Sequence, residues 1–254
     1  MKNKQFLNQL RVICGANIRS INANIMYRWI SKFQSYPITV NQKSAMVFSP
    51  HQDDETLGCG GMIALKRSLG VPVEVVFLTD GRYGRPEWIT PETIVEIRQK
   101  EAVNALTILG VSSSEIHFVH QLDGSLQDLP HDERQHVVNQ LVQRLQSFKP
   151  GEVYVPHRKD VHGDHEATYK LVQEAIAASG IQVELLQYPI WMLWQNPISF
   201  NLKFEDMSNA YRLAIDSVKD RKKQAIESYI SQMSGLPDGF LKRFFLPYEI
   251  FFKH

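Results

Sequence analysis

The chain has 254 residues, 43% of them hydrophobic and 22% charged, with a formal net charge of +1. This is the composition of a globular protein with room for a sizeable core, and it excludes disordered and fibrous classes. A near-neutral charge gives no reason to expect a nucleic-acid partner, and the two cysteines, Cys14 and Cys59, lie far apart and outside any CxxC pattern, so no disulfide framework is expected.

In chain order, residues 1–43 read as a helical extension. From Met1 to Gln52 there is no Asp or Glu, against seven cations: Lys2, Lys4, Arg11, Arg19, Arg28, Lys32 and Lys43. Ile18, Ile21, Ile25, Trp29 and Phe33 recur at helical spacing, which predicts a basic amphipathic helix packed on the main domain by this apolar stripe. The competing reading is a helix lying on an anionic membrane surface. The charged start is followed by neither an unbroken apolar stretch nor a cleavage site. Nowhere does the chain offer the roughly 20 apolar residues that a bilayer span needs. A cytoplasmic protein is expected, with peripheral membrane contact and homo-oligomerisation both compatible with the sequence.

Residues 44–254 read as the main domain. An apolar run at 44–49 predicts a buried strand, followed by TLGCGG at 56–61 and a helix over 62–69. A second strand, 71–78, is closed by Thr79-Asp80-Gly81. Thr90 then caps, and Pro91 opens, a long amphipathic helix that Gly110 ends. A weaker strand at 115–119, a helix at 131–148, a strand at 152–155, a helix at 164–178 and a strand at 181–187 follow. After Trp191 the pattern thins to a helix at 215–232 and an aromatic tail at 240–252. The alternation predicts right-handed βαβ units and a parallel sheet with helices on both faces. In such sheets ligands bind beyond the carboxyl ends of the strands.

The chemistry-bearing residues gather at those ends. Pro50-His51-Gln52-Asp53-Asp54-Glu55 follows the first strand, Asp80 the second, and Asp160-Val161-His162-Gly163-Asp164-His165 the fourth. A His beside two carboxylates can supply a nitrogen ligand, an oxygen ligand and a free base, which are donor types that zinc accepts. Either string alone is equally well a solvated acidic turn, whereas two of them at two strand ends of one sheet point to a site. Asp80 and Asp160 are read as substrate-side groups. Gly58, Gly60 and Gly61 lack both the GxGxxG and the P-loop pattern and are read as allowing close backbone approach.

PHQDDETLGCGG followed by DVHGDH resembles the LmbE-like or PIG-L deacetylase family, with its HPDDE and HPDH signatures. LTDG at 78–81 and IRQKEAVNALTILGV at 97–111 belong to the same resemblance, which covers roughly 45–186. It implies a Rossmann-like fold and zinc-dependent hydrolysis of an N-acetyl or related amide on a glucosamine unit. By motif position it implies His51, Asp54 and His165 as metal ligands and Asp53 as general base. It also implies His162 as the group assisting the tetrahedral intermediate and Arg98 as a residue near the substrate. Asp164 is expected to orient His162. Gln52 and Gly163 replace the two signature prolines, each removing a backbone restraint. The alternatives are hydrolysis of another bond, such as a phosphoester, and a non-catalytic nucleotide-binding module. The first calls for a second metal and the second for a glycine fingerprint, and neither feature is in the sequence.

Overall fold

The computed structural model describes residues 2–195 and 202–253, with side chains described from residue 15 onward. The strands are β1 (Ser35–Ile38), β2 (Ala45–Ser49), β3 (Val73–Thr79), β4 (Ile116–Gln121), β5 (Glu152–Pro156), β6 (Glu184–Tyr188), β7 (Ala210–Ala214) and β8 (Tyr248–Phe252). They form one sheet in the order β1-β7-β8-β6-β5-β2-β3-β4. The α-helices are α1 (Lys2–Trp29), α2 (Asp54–Ser68), α3 (Pro91–Leu109), α4 (His131–Phe148), α5 (Gly163–Ser179), α6 (Lys219–Glu227) and α7 (Ile230–Met233).

Strands β4, β3, β2, β5 and β6 pair in parallel, as the βαβ alternation predicts. Their side chains alternate between two apolar layers. Ala45, Val47, Val75 and Phe77 pack with Leu57, Ile63 and Leu106 on the α2–α3 face. Met46, Phe48, Val76 and Leu78 pack with Val138, Leu141 and Leu171 on the α4–α5 face. Each such side chain contributes roughly 1.5–3 kcal/mol when fully buried, and burial on both faces explains why these strands read as continuous apolar runs.

Elsewhere the structure departs from the sequence reading. The aromatic tail contains β8, which runs antiparallel to both β6 and β7, so the sheet is not wholly parallel. Residues 35–38, inside the expected helical extension, form an edge strand paired with β7. Helix α2 begins at Asp54, well before Met62, and its glycines are helical. A Cβ at Gly58 would lie 2.3 Å from the Tyr188 ring, and one at Gly61 2.6 Å from Ile215, so these glycines let α2 sit against β6 and the end of β7. The single helix expected at 215–232 is broken around Ser228–Tyr229, and the break turns Tyr229 inward.

The N-terminal helix also packs by a different face from the one expected. Ser20, Ala23, Tyr27 and Ile30 are buried, while Ile18, Ile21, Ile25 and Phe33 are 51%, 61%, 59% and 65% exposed, and of the expected stripe Trp29 alone packs partly buried against the core. Close approach decides this. A Cβ at Gly239 would lie 2.2 Å from Ser20 Oγ, so only a face of small residues fits against that turn, and Tyr27 stacks on Tyr248 with ring centroids 5.8 Å apart. Side-chain bulk, which guided the sequence reading, points to the opposite face.

Candidate active site

Four strand ends deliver the site. His51 follows β2, Asp80 follows β3, Asp123 follows β4, and the loop after β5 carries Asp160 to His162 into the start of α5. The sheet ladder continues past the strands to hold these loops: Thr79 N–H donates to Pro50 O at 3.0 Å and Asp80 N–H to Gln121 O at 2.9 Å. Gln52, at a signature-proline position, is fully buried and donates from Nε2 to Thr79 O at 2.8 Å. A side-chain hydrogen bond thus ties down the loop that a proline ring would have stiffened.

One carboxylate oxygen stands between two histidine nitrogens. Asp54 Oδ2 lies 3.1 Å from His51 Nδ1 and 3.2 Å from His165 Nε2. Those separations are close to the ~3.3 Å expected between ligand atoms around a tetrahedral zinc with bonds of about 2.0 Å. His165 Nε2 is buried without a hydrogen bond. Its Nδ1 lies 2.7 Å from Asp160 Oδ2, and Asp160 Oδ1 accepts from the Ile190 and Met192 N–H groups at 2.9 and 2.8 Å. With Nδ1–H donated to Asp160, the Nε2 lone pair is left for a metal. His51 Nε2 is met by Asp123 Oδ1 at 3.1 Å and Asp164 Oδ2 at 3.2 Å. Two triads, His51–His162–His165 and His51–Asp123–Asp164, each place one ligand atom per residue within 4.8 Å of the others. The donor set fits a divalent transition metal.

The charges follow from this packing. Burial opposes ionisation of Asp54, but His165 and His51 hold its carboxyl well below the usual range. Against burial, the Asp54 charge and the Asp160 hydrogen bond raise His165 to about 9. Asp53 points the other way: burial and the Asp54 charge push it up to about 7, opposed by Arg98 and His51. Consecutive carboxylates in one loop thereby acquire opposite characters. The backbone separates them, because Asp53 has φ +141° and ψ −31°, a conformation that non-glycine residues rarely adopt. The Glu55 carboxylate holds it there, accepting the Asp53 N–H at 3.1 Å. Glu55 itself is fully buried and accepts from Thr56 and Tyr229 hydroxyls.

A cavity of about 270 Å³ opens over this cluster. Its polar side includes Asp53, Arg98, Asp123, His162 and Gln232, and its apolar wall Leu57, Ile190, Trp191, Leu236 and Phe240. Arg98 lines the cavity, donating to Gln52 O and Gly81 O at 2.8 and 3.1 Å, with Nη2 3.4 Å from Asp53 Oδ1. Asp80 and Asp160 do not line the cavity. Asp80 is turned to Arg82 and the Asp123 N–H, and fully buried Asp160 serves His165. Asp164 does not grip the His162 ring as expected. Its carboxylate reaches His51 and the Gly124 and Leu126 N–H groups, and only its backbone N–H meets His162 Nδ1, at 3.3 Å. The first turn of α5 points the Asp164 side chain inward, and His162 caps that turn from outside. Sequence reasoning missed Asp123, although Leu122-Asp123-Gly124 after β4 repeats the Thr79-Asp80-Gly81 pattern after β3. It also missed the wall from Ile190 to Phe240, which carries no catalytic signature.

The chain has relatives among known proteins. The sequence profile of the PIG-L family, described as GlcNAc-PI de-N-acetylase, matches residues 46–176. The chain is 32% identical over 146 residues to the probable N-acetyl-alpha-D-glucosaminyl L-malate deacetylase 2 of Bacillus anthracis, covering 54% of this chain and 61% of that protein. The chain thus spans about three-fifths of the length of the curated relatives it matches first. Among solved structures, the conserved protein TT1542 from Thermus thermophilus is similar at 29% identity and TM-score 0.62, over 79% of this chain and 84% of that one. The N,N'-diacetylchitobiose deacetylase from Pyrococcus horikoshii shares the fold at 24% identity and TM-score 0.59, over 79% of this chain and 73% of that one.

Proposed function

Since the matched stretch is more than half of its length, the chain belongs to the PIG-L family, and from that membership we propose a zinc-dependent hydrolase that removes the N-acetyl group of an N-acetylglucosamine-type glycoside, glycan or glycolipid precursor. The observation that carries the reading is the division of labour within one loop: both aspartates line the cavity, but Asp54 faces His51 and His165, while Asp53, the next residue back, faces Arg98.

A zinc ion on His51, Asp54 and His165 would supply Lewis-acid polarisation of the scissile carbonyl and of the attacking water. The chain's own groups do the rest. Asp53 accepts the proton of the attacking water, and an acidity near neutral suits a general base. Arg98 and the Glu55 carboxylate fix its position. His162 stands at the mouth of the cavity. Because its Nδ1 accepts the Asp164 N–H, the neutral ring carries its proton on Nε2. Burial, with the His51 and His165 charges, keeps this ring below its ordinary pKa. His162 thus turns its Nε2 to the oxygen that gains charge, in the assisting role its motif position implies. Asp123 and Asp164 hold His51 from behind. A nucleotide phosphate at the start of α2 is disfavoured, because Asp54 and Glu55 occupy its first turn.

Acetate release from N-acetylglucosamine glycosides by the zinc-loaded protein, with Asp54→Ala as control, tests this reading. Failure to release acetate from any N-acetylated amino sugar while zinc is bound removes it.

A further inference from the structure

Helix α1 presents two faces. Its inner face rests on the turn at Gly239 and on Phe240 and Phe244 through Ser20, Ala23, Tyr27 and Ile30. The outer face carries Ile18, Ile21 and Ile25 at i, i+3 and i+7, which places them in one row, and more than half of each is exposed. Arg28 and Lys32 continue the exposed face, and Lys32 Nζ lies 5.3 Å from the ring centre of exposed Phe33. Trp29 leads from the row to Phe204, whose ring lies 6.4 Å away and is 62% exposed. Isolated exposed apolar residues need no explanation, but a row of them with polar and charged residues around it marks a contact surface.

We propose that this outer face docks the protein on an anionic lipid surface. The charge pattern selects the occupant. No acidic residue occurs before Asp53, against seven cations; of these, Lys43 lies off the helix and pairs with Glu184, the side chains of Lys2, Lys4 and Arg11 lie outside the described residues, and Arg28 and Lys32 are exposed beside the row. A second copy on the same face would bring like charges together, since an isologous contact pairs a patch with itself. Among the described residues, no helix is long and apolar enough to cross a membrane. An apolar row with flanking cations on a helix that does not span is the arrangement that lies in the lipid–water interface. The placement also has a use. The segments under α1 are those that wall the active cavity: Phe240 lies beneath its inner face, and Asn22 donates to Gln195 O, a few residues after Trp191. The helix is about 10 Å thick, so a docked face brings the cavity close to the surface. The use of this placement rests on the deacetylase reading, while surface binding is measurable without any turnover.

Co-sedimentation of the full chain with phosphatidylglycerol–phosphatidylcholine vesicles and with pure phosphatidylcholine vesicles, at low and high salt, tests it. Wild type binds the anionic vesicles at low salt, binds neutral ones at least tenfold more weakly, and releases with salt. Ile21→Asp/Ile25→Asp loses this binding. Arg28→Gln/Lys32→Gln weakens it on the order of twentyfold, since each cation near such a surface is worth about fivefold. Both variants keep the wild-type melting temperature and acetate release from a soluble glycoside, because none of the four side chains is buried. Three outcomes each overturn the proposal: no binding to anionic vesicles, equal binding to neutral ones, or undiminished binding by both variants. So does a dimer in sedimentation velocity that the isoleucine variant dissociates without any vesicle binding. Acetate release failing while vesicle binding holds would overturn the enzymatic reading alone.

Discussion

The hydroxyl of Tyr229 donates to Oε1 of Glu55 across 174 residues of sequence. Glu55 uses its other oxygen to accept the N–H of Asp53, so a tyrosine from the C-terminal third helps to hold the strained residue that faces the cavity. Burial pushes the Glu55 carboxyl up to about 7, and the Thr56 and Tyr229 hydroxyls oppose that rise. Tyr229→Phe removes one donor from a buried carboxylate and is expected to cost about 1–3 kcal/mol of stability. Turnover should fall more than KM rises, with zinc content unchanged. Chemical denaturation, steady-state kinetics and elemental analysis check this, and unaltered turnover would reduce the contact to packing.

The division between the adjacent aspartates is separable by mutation. Asp53→Asn should keep the metal and lose about 10²-fold or more in turnover, the usual scale of a general base. Asp54→Ala should lose the metal, because its Oδ2 faces both histidines. Zinc per chain, measured beside kcat, decides. The reverse pattern would exchange the two roles.

His162→Ala should depress kcat while leaving zinc content near that of wild type, since the ring lines the cavity and it is Asp54 that bridges His51 and His165. His162→Gln, which keeps a donor, should recover part of the loss. A rate equal to wild type in both variants would assign the ring to packing.

Metal affinity should climb with pH. In the metal-free protein His165 is raised to about 9 and His51 is also raised well above its ordinary value. Below about 9, then, a proton must leave His165 before its Nε2 can act as a ligand. Apparent zinc affinity therefore falls as pH falls, by about tenfold per unit for each proton released. Titration calorimetry in buffers of different ionisation enthalpy between pH 6 and 8 counts those protons. An affinity independent of pH would contradict the assignment.

Gly58→Ala should destabilise the fold by about 1–3 kcal/mol through overpacking, because the added Cβ meets the Tyr188 ring at 2.3 Å. That ring cannot retreat cheaply, since its hydroxyl is bonded to Phe48 O at 2.8 Å. A melting temperature equal to wild type would show that α2 can shift outward.

The sheet from β4 to β6, the two motif loops and their gathering at one edge were all legible in the sequence, because βαβ periodicity and motif spacing are local signals. Less legible was whatever depends on distant partners. Strand β8 is buried over most of its length, so its apolar run had no alternation to distinguish it within an aromatic tail. Asp160 and Asp164 lie in the right motif, but their carboxylates serve His165 and His51, a matter of side-chain direction that spacing does not encode. The packed face of α1 was misread because its selection depends on Gly239, more than two hundred residues away.

The place of β8 between β6 and β7 sets an order of assembly. Once Tyr188 has left the ribosome, the five parallel strands can pair, and with them come His51, Asp53, Asp54, His162 and His165. Strand β7 has no neighbour to join until β8 is made, and β1, synthesised first, joins the sheet only through β7. The earliest strand of the chain is therefore among the last to be seated, by pairings of high sequence separation that form slowly. Until then α1 lacks its footing on Phe240 and Phe244, and both of its faces meet solvent. The half that carries the motif loops is thus complete in sequence by Tyr188, whereas the half that walls the cavity waits for β8.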